Sequence, residues 1–339
     1  MTLIVTAIFP RFIVQACDRL VTLKPDFREG DSWSNKTIVF RGTDGVLVMS
    51  YTGNAFVRNI PTDEWIAGVL WGAAPERGHD NRRPALMQLG GGRRCRVTYS
   101  LHLLVESLSA LNLPIEHHIE IQGAGYWIRR KRIIPYWFKI GKLAGHREVL
   151  FKSSPRQPIT AGVRIGSAGM DANRSELWSR IDEFAASHPE RRSIRDIENL
   201  IAAFIRDCAD KKPGIGKNVL TVVLSPQGGG SRFHGIDSHP VTIVGKGGAI
   251  DIPDTVHTPW LVSPGLLRSP SIEGGPGGWN ISLAGYPFEI KGGAPLNDHF
   301  LSLSSSVDRP TPREMGRFER PSTRRPMRFP FLPPLEPTE

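Results

Sequence analysis

The chain has a formal net charge of +10 at pH 7, and its 339 residues are enough for one large domain or for a domain with an appendage. Its 40% hydrophobic and 22% charged content is typical of a globular protein, and no apolar run is long enough for a membrane helix. Arg11 interrupts the order of a signal peptide. The three cysteines fit neither a metal site nor a disulfide framework, so we expect a cytoplasmic protein.

The first residues combine a hydroxyl with a potential free amine. Thr2 follows Met1, and because Thr is small, a methionine aminopeptidase can remove Met1 and leave an α-amine beside the hydroxyl. Such an amine has an ordinary pKa of about 7.7–8.0, so it can accept the hydroxyl proton itself during nucleophilic attack. The alternative is that Thr2 is an ordinary second residue that starts a strand.

Two β-rich runs, 3–8 and 12–17, predict a hairpin whose second arm ends at Asp18-Arg19. A further apolar run, 37–40, predicts another strand. The Asp-Arg dipeptide has a simpler interpretation as a surface ion pair, which contributes about 0–1 kcal/mol to stability.

A Thr, an Asp-Arg sixteen residues later and a Lys at the head of the strand 37–40 form a pattern that resembles a known active site. It is similar to that of the proteasome β-type subunits and their bacterial relatives, which are N-terminal-nucleophile (Ntn) hydrolases. The resemblance implies Thr2 as the nucleophile, Lys36 as its charged partner and Asp18 as the carboxylate that orients the lysine. An ammonium beside the hydroxyl favours its deprotonated form. Lys24, on the same loop, is the rival for the role of Lys36.

The run 46–51 predicts a strand that ends in Thr-Gly-Asn-Ala. It resembles the strand after which the family's backbone approaches the substrate chain, and the resemblance implies Gly53 as an oxyanion or substrate-backbone contact. A plain strand-to-helix turn is the alternative. Thr62, followed by two acids, predicts the N-cap of a helix.

Residues 74–96 are polar, Gly-rich and basic, and they predict an exposed insertion. Their Gly run lacks the Gly-Lys-Ser/Thr end of a phosphate-binding loop, so no nucleotide cofactor is expected. Leucines at helical spacing predict a helix over 97–111, and the run 115–140 predicts strands. The adjacent His117 and His118 would point to opposite faces of a strand and predict no metal site.

The stretch 129–156 carries nine Lys or Arg residues and one acid, Glu148. Interleaved aromatic residues such as Trp137 are typical of surfaces that stack on nucleic-acid bases. No nucleic-acid motif accompanies them, so an exposed hairpin with solvated basic tips is the simpler interpretation. A nucleic-acid-associated protein remains an alternative function.

A second part of the resemblance lies at 161–169, where a strand runs into a Gly-Ser-x-Gly turn before a predicted helix at 173–186. In the family, a serine of this turn hydrogen-bonds the amine of the nucleophile, which implies that role for Ser167. Ala168 stands where the family usually has Gly. The alternative is that the glycines only end the strand.

A further helix is predicted from the N-cap Ser193 to Ala209. The segment from Asp210 to the strand 219–224 resembles the family's Asp-x-x-Ser-Gly-Gly, which implies Asp210 as the carboxylate of the secondary site. Pro213 stands where a Ser is expected and cannot donate a side-chain hydrogen bond.

The resemblance covers residues 2–224, and 225–305 predict a Gly/Pro-rich β extension packed on the core. Residues 306–339, rich in Pro and Arg, predict disorder. The resemblance implies an α+β fold, a four-layer αββα sandwich, in a homo-oligomer without cofactor or metal. It implies a threonine-type amidohydrolase that acts on a peptide or another amide. The alternative within the same fold is a proteasome-like binding or assembly protein without catalysis.

Overall fold

The computed structural model of the chain describes residues 2–9, 12–23, 28–31, 34–58, 60–73, 87–113, 117–130, 132–143, 146, 148–155, 164–169, 174–187, 194–225, 228–235, 241–245, 248–252, 255–270 and 272–274. Within these ranges the protein is mixed α+β, with far more strands than helices, as the sequence predicts. The segment 306–339, predicted to be disordered, lies outside them.

The strands, in chain order, are β1 (Leu3–Ile8), β2 (Ile13–Asp18), β3 (Val21–Leu23), β4 (Arg28–Asp31), β5 (Thr37–Gly42), β6 (Gly45–Gly53), β7 (Phe56–Val57), β8 (Ile60–Pro61), β9 (Met87–Leu89), β10 (Ile119–Arg129), β11 (Arg132–Lys142), β12 (Val149–Pro155), β13 (Arg164–Gly169), β14 (Val219–Ser225), β15 (Gly228–His234), β16 (Val241–Gly245), β17 (Gly248–Ile252), β18 (Thr255–His257), β19 (Trp260–Ser263), β20 (Leu266–Arg268) and β21 (Ile272–Gly274). The helices are α1 (Thr62–Trp71), α2 (Val97–Ser109), α3 (Arg174–Ser187) and α4 (Ile194–Lys211).

The first of two large sheets has the strand order β13-β1-β2-β14-β15 within the described residues. All neighbouring strands in it are antiparallel, and β1 and β2 form the predicted hairpin. Every residue of β1 and β2 is buried. Strands buried on both sides need cover on both faces of the sheet.

The second sheet has the strand order β12-β11-β10-β6-β5-β19-β20-β9 in the described part of the chain. Its pairs are antiparallel except that β19 runs parallel to β5. Segments predicted to lie outside the core contribute to both sheets. β9 comes from the predicted insertion 74–96 and pairs with β20, while β15, β19 and β20 come from the predicted extension 225–305.

The helices supply the cover that the sheets need. α4 packs on β2 and β14, and α3 packs on α4 and β13, whereas α1 and α2 pack on each other and on the second sheet. The buried apolar residues of α4 recur at helical spacing and form one face of the helix, which includes Ile197, Ile201 and Ile205. Within the described residues, no helix is long and apolar enough to cross a membrane.

The two sheets contact each other through an apolar cluster that includes Ile13, Val48, Ala124 and Val222. A closed polar triad lies between the same sheets. The Thr6 hydroxyl donates to Gln15 Oε1 at 2.5 Å, Gln15 Nε2 donates to the Gln122 carbonyl at 3.1 Å, and Gln122 Nε2 donates to Thr6 Oγ1 at 2.8 Å. Because buried polar groups need partners, this triad fixes how β1 and β2 lie against β10.

The predicted start of α1 is correct, but its predicted cap is wrong. Thr62 is the first residue of the helix rather than its N-cap, which is Pro61. The Thr62 hydroxyl donates to the Asn54 carbonyl at 2.7 Å instead. This bond ties the helix to the turn after β6.

A polar cluster lies where α4 covers β14 and β15. The Thr221 hydroxyl donates to Glu198 Oε1 at 2.6 Å and lies 3.1 Å from His234 Nε2. Burial, together with the charges of Arg206 and Arg232, lowers the pKa of His234 to about 4. Burial raises the pKa of Glu198.

We expect His234 to make the protein less stable in acid. An unfolded histidine has a pKa of about 6.5, so between pH 6.5 and 4 the unfolded chain binds more protons than the folded one. The contribution of neutral His234 is therefore present above about pH 6.5 and is lost as the pH falls toward 4, by at most roughly 3 kcal/mol. His234→Gln should flatten the decline of the unfolding free energy over this range in urea titrations.

The control is the exposed His102, since His102→Gln should keep the wild-type slope. Glu198 acts in the opposite direction, because a carboxyl with a raised pKa loses stability as the pH rises, so only the difference between variant and wild type isolates His234. A His234→Gln curve with the wild-type slope would contradict the assignment.

Candidate active site

Thr2 lies directly before β1, at the point where strand ends from both sheets meet. Lys36 Nζ donates to Thr2 Oγ1 at 2.7 Å, and the Thr52 hydroxyl donates to the Thr2 carbonyl at 3.5 Å. Lys36 directly precedes β5, and Thr52 is near the end of β6. The Thr2 hydroxyl is therefore held by a residue of the second sheet, although its own chain enters the first.

Asp18, the last residue of β2, is fully buried and accepts hydrogen bonds from four donors. Its Oδ1 accepts from the Leu3 N–H at 2.6 Å. Its Oδ2 accepts from the N–H groups of Leu20 and Gly216, each at 3.1 Å, and from Lys36 Nζ at 3.2 Å. A buried charge is costly unless it is paired and hydrogen-bonded, and here the carboxylate is both.

Lys36 acts as a donor in this arrangement. Its side chain is 3% exposed, and Nζ contacts three acceptors, which are Thr2 Oγ1, Asp18 Oδ2 and the Leu20 carbonyl. An ammonium has three N–H donors and no lone pair, so all three are used. As an ammonium, Lys36 can stabilise negative charge on the Thr2 hydroxyl. The rival, Lys24, lies outside the described residues.

Gly216 and Arg19, next to Asp18 and Lys36, have structural roles that the sequence analysis did not predict. At Gly216, a Cβ would lie 2.6 Å from Leu20 Cβ and 2.9 Å from Leu20 N, so only glycine lets this N–H reach Asp18. Arg19 is buried, and its Nε donates to the Ser34 carbonyl at 3.1 Å. Because Asp18 and Arg19 are both buried, the interpretation of this dipeptide as a surface ion pair is wrong.

Gly53 ends β6, next to Thr52, and so lies close to Thr2. Its φ is 100°, and a Cβ there would lie 2.1 Å from the His118 carbonyl oxygen. Glycine is therefore required by the backbone alone. A contact between Gly53 and a substrate stays a prediction.

Ser167 lies within β13, not in a turn. β13 pairs with β1 up to Gly169, with Ser167 opposite Val5 and Gly169 opposite Leu3. The predicted turn is wrong because the strand continues as far as its partner does. Ser167 is on the strand next to β1, two positions from the residue that pairs with Leu3.

Asp210 does not join the buried cluster. It lies in the last turn of α4, is 59% exposed and forms an ion pair with Lys217 at 2.5 Å. Among the described residues it makes no hydrogen bond or ion pair with Thr2, Asp18 or Lys36. Its role as a secondary-site carboxylate therefore remains a prediction without a contact in this structure.

The cysteines are free, and burial raises the pKa of all three thiols. Cys17 precedes Asp18, and its Sγ donates to the Asp18 carbonyl at 3.2 Å. A thiol with a raised pKa is a poor nucleophile at neutral pH. In the described part of the chain, no three His, Cys, Asp or Glu side chains are grouped so that they could hold a metal ion.

Part of the basic stretch 129–156 binds groups of the protein itself. Lys142 is buried and donates to the carbonyls of Leu108 and Ser109 at 3.1 and 3.0 Å, at the end of α2. Lys139 forms an ion pair with Glu120 at 2.8 Å. The predicted hairpin with solvated basic tips is present as β10–β11, because Arg129, Arg130 and Arg132 at its tip are exposed, whereas Lys142 at the other end of β11 is buried.

Comparisons with known proteins gave matches among solved structures only. The chain is similar to a Gly-1 mutant of Anbu from Hyphomicrobium sp. strain MC1, with a TM-score of 0.41 and 10% identity, over 66% of this chain and 82% of that one. It is also similar to Anbu, described as an ancestral beta-subunit, from Yersinia bercovieri, with a TM-score of 0.38 and 10% identity, over 66% and 81% of the two chains. No family model matches the sequence, and no curated protein does.

The buried and the exposed Lys–Asp pairs should respond very differently to the same substitution. Asp18→Asn leaves the Lys36 ammonium buried without its counter-charge, so we expect a loss of about 3–5 kcal/mol of unfolding free energy. Asp210→Asn breaks the exposed pair with Lys217 and should cost at most about 1 kcal/mol. Urea unfolding of both variants measures the two losses. Equal losses would show that the charge of Asp18 is not buried in solution.

Proposed function

We propose that the chain is a proteasome-like Ntn hydrolase in which Thr2, freed of the residue before it, is the nucleophile of an amidohydrolase. The fold assigned to it is the four-layer αββα sandwich. The three largest apolar clusters of the described residues support this layering, since one lies between α3, α4 and the first sheet, one between the sheets, and one between the second sheet, α1 and α2.

One contact carries the proposal, the 2.7 Å hydrogen bond from Lys36 Nζ to Thr2 Oγ1. A buried lysine is costly to keep unless it is paired, and this one is paired with Asp18. The buried ammonium of Lys36 also donates to the hydroxyl of Thr2, near the start of the chain. A threonine that merely starts a strand needs no such partner.

The proposed chemistry follows from the three acceptors to which Lys36 donates. With Lys36 as an ammonium that donates to these acceptors, we assign the role of general base to the α-amine of Thr2, which belongs to the same residue as the hydroxyl. The amine takes the hydroxyl proton while Oγ1 attacks the carbonyl carbon of an amide. Lys36 stabilises the negative charge on Oγ1 in the transition state.

The step ends when the C–N bond breaks and the proton passes from the amine to the leaving nitrogen, which departs as an amine. An ester between Thr2 and the acyl group remains. Water, deprotonated by the same α-amine, then attacks the ester and restores the hydroxyl. Gly53, on the exposed end of β6 beside Thr52, is the proposed backbone contact for the substrate chain.

A peptide is the substrate that the proposal favours, because β6 continues to Gly53 beyond Ser50, the last residue that it pairs with β5, and an extended chain can pair with this end of the strand. The homo-oligomer and the cytoplasmic location stay predictions. No described contact favours nucleic-acid binding by the basic stretch over hydrolysis.

Thr2 should be the site of covalent modification by a β-lactone or an epoxyketone. The purified protein should lack Met1 by intact mass, and the electrophile should add once per chain. Thr2→Ala should abolish this addition and change the melting temperature little, because only a hydroxyl and a methyl group are lost. A chain that retains Met1, or labelling that survives Thr2→Ala, contradicts the nucleophile. An unlabelled, correctly trimmed wild type points to a proteasome-like protein without catalysis.

The lysines near the N-terminus should differ in their effect on the rate of labelling. Lys36→Ala removes the donor to Thr2 Oγ1 and should lower the rate by on the order of 100-fold or more, whereas Lys24→Ala should leave it near the wild-type value. Asp18→Ala combined with Lys36→Ala should be hardly slower than either single variant, because the two residues act as a unit. Loss in Lys24→Ala with full activity in Lys36→Ala would show that Lys24 is the functional lysine.

A further inference from the structure

The backbone on both sides of Lys36 is held by side chains that do not touch Thr2. Asn35 Nδ2 donates to the Thr37 carbonyl at 3.0 Å and to Asp63 Oδ2 at 3.3 Å, so it spans Lys36 from one side to the other. The Tyr51 N–H donates to the Lys36 carbonyl at 3.2 Å. These bonds determine where the lysine side chain starts.

Asp63 Oδ2 connects three parts of the chain. It accepts the Asn35 bond and a second hydrogen bond from Trp260 Nε1 at 2.9 Å. Asp63 lies in the first turn of α1, where the helix dipole favours a carboxylate. Asn35, Asp63 and Trp260 are at most 5% exposed, and hydrogen bonds are electrostatically stronger in such surroundings than in water.

Trp260 belongs to β19, which comes from the segment that the sequence predicts to be a β extension. In the parallel pair of β19 with β5, Trp260 is opposite Ile38, two residues after Lys36. Its ring packs in the cluster between the second sheet and α1. Trp260, which comes late in the chain, therefore contacts the segment around Lys36 in two ways. Its strand pairs with β5, and its indole N–H donates to Asp63, which binds Asn35.

We infer that Trp260 and Asp63 are positioning residues for Lys36, and that the C-terminal segment through β19 is part of the catalytic unit. This inference rests on the proposed function, because it takes Lys36 as the group that acts on the Thr2 hydroxyl. Trp260 contributes no atom to the chemistry. It fixes the Asp63 carboxylate, which fixes Asn35 and with it the start of the Lys36 side chain.

The test is the saturation kinetics of Thr2 acylation by a β-lactone in Trp260→Phe. This substitution keeps an aromatic ring in the core, but it removes the N–H that donates to Asp63 together with part of the indole ring system. We expect the maximal rate constant to fall by about 10-fold or more, while the half-saturating concentration and the final labelling of one per chain are unchanged. A merely structural role would lower the final labelling through unfolded protein and leave the rate constant of the folded protein intact.

The chain offers a matched control in Trp127→Phe. Trp127 Nε1 donates to Asp44 Oδ2 at 3.0 Å, so the same kind of bond is lost. Trp127 pairs with Gly45 at the start of β6, roughly 23 Å along the strand from Thr52. The rate constant of Trp127→Phe should stay within about two-fold of the wild type. The comparison separates the loss of any indole hydrogen bond from the loss of the bond between Trp260 and Asp63.

A second variant, Asp63→Leu, keeps the approximate size of the side chain and removes both acceptor oxygens. The maximal rate constant of acylation should fall in this variant as it does in Trp260→Phe. If Trp260→Phe does not fold, this variant alone tests the inference. Wild-type rate constants in either folded variant, or equal losses in Trp260→Phe and Trp127→Phe, overturn the inference and leave the proposed function intact. A trimmed wild type that is not acylated overturns the proposed function, and the inference with it.

Discussion

The buried carboxylate of Asp18 is the constraint on which the rest of the structure depends. Its four donors come from β1, from the turn after β2, from the loop before β14 and from the residue before β5. Because a buried charge without its partners is costly, the ends of both sheets must meet at this one group. The same group holds the lysine that contacts Thr2. The candidate site is therefore the point at which the sheets are tied together, and any change that separates them also separates the hydroxyl from its donor.

The sequence was sufficient for what is local. Alternating and apolar runs located the β1–β2 hairpin. The resemblance to a family's active site implied that Thr2, Asp18 and Lys36 meet, as their hydrogen bonds show. The sequence did not predict where α4 and β13 end, because both elements continue beyond the residues at which the sequence pattern places their ends. Residues 206–211 favour helix, so α4 runs through Asp210 and leaves that carboxylate in solvent. β13 likewise continues through Ser167, because its length is set by its partner β1 and not by its own glycines.

Pairings between distant segments left no local signal. Residues 260–262 form a strand-like run and 87–89 lie in a Gly-rich stretch, but neither segment indicates its partner in the second sheet, where they form β19 and β9. The Gly90-Gly91-Gly92 run that suggested an exposed insertion has φ values of 80°, 83° and 77°, and its backbone bonds to the turn between β19 and β20. Asn35 and Asp63 are ordinary polar residues in the sequence, and only their burial against Trp260 gives them a structural role.

The place of β19 has a consequence for how the protein is made. β5 is paired on one side with β6, its neighbour in sequence, but its other partner is more than 200 residues away. At about 5–20 residues per second of synthesis, β5 waits for on the order of 10–40 s as an open edge strand, which can pair with other chains. The candidate site is thus completed among the last parts of the molecule. A nascent or prematurely terminated chain carries Thr2, Asp18 and Lys36 without β19, the strand that covers this edge of the second sheet, so the edge of β5 is open to pairing with other chains.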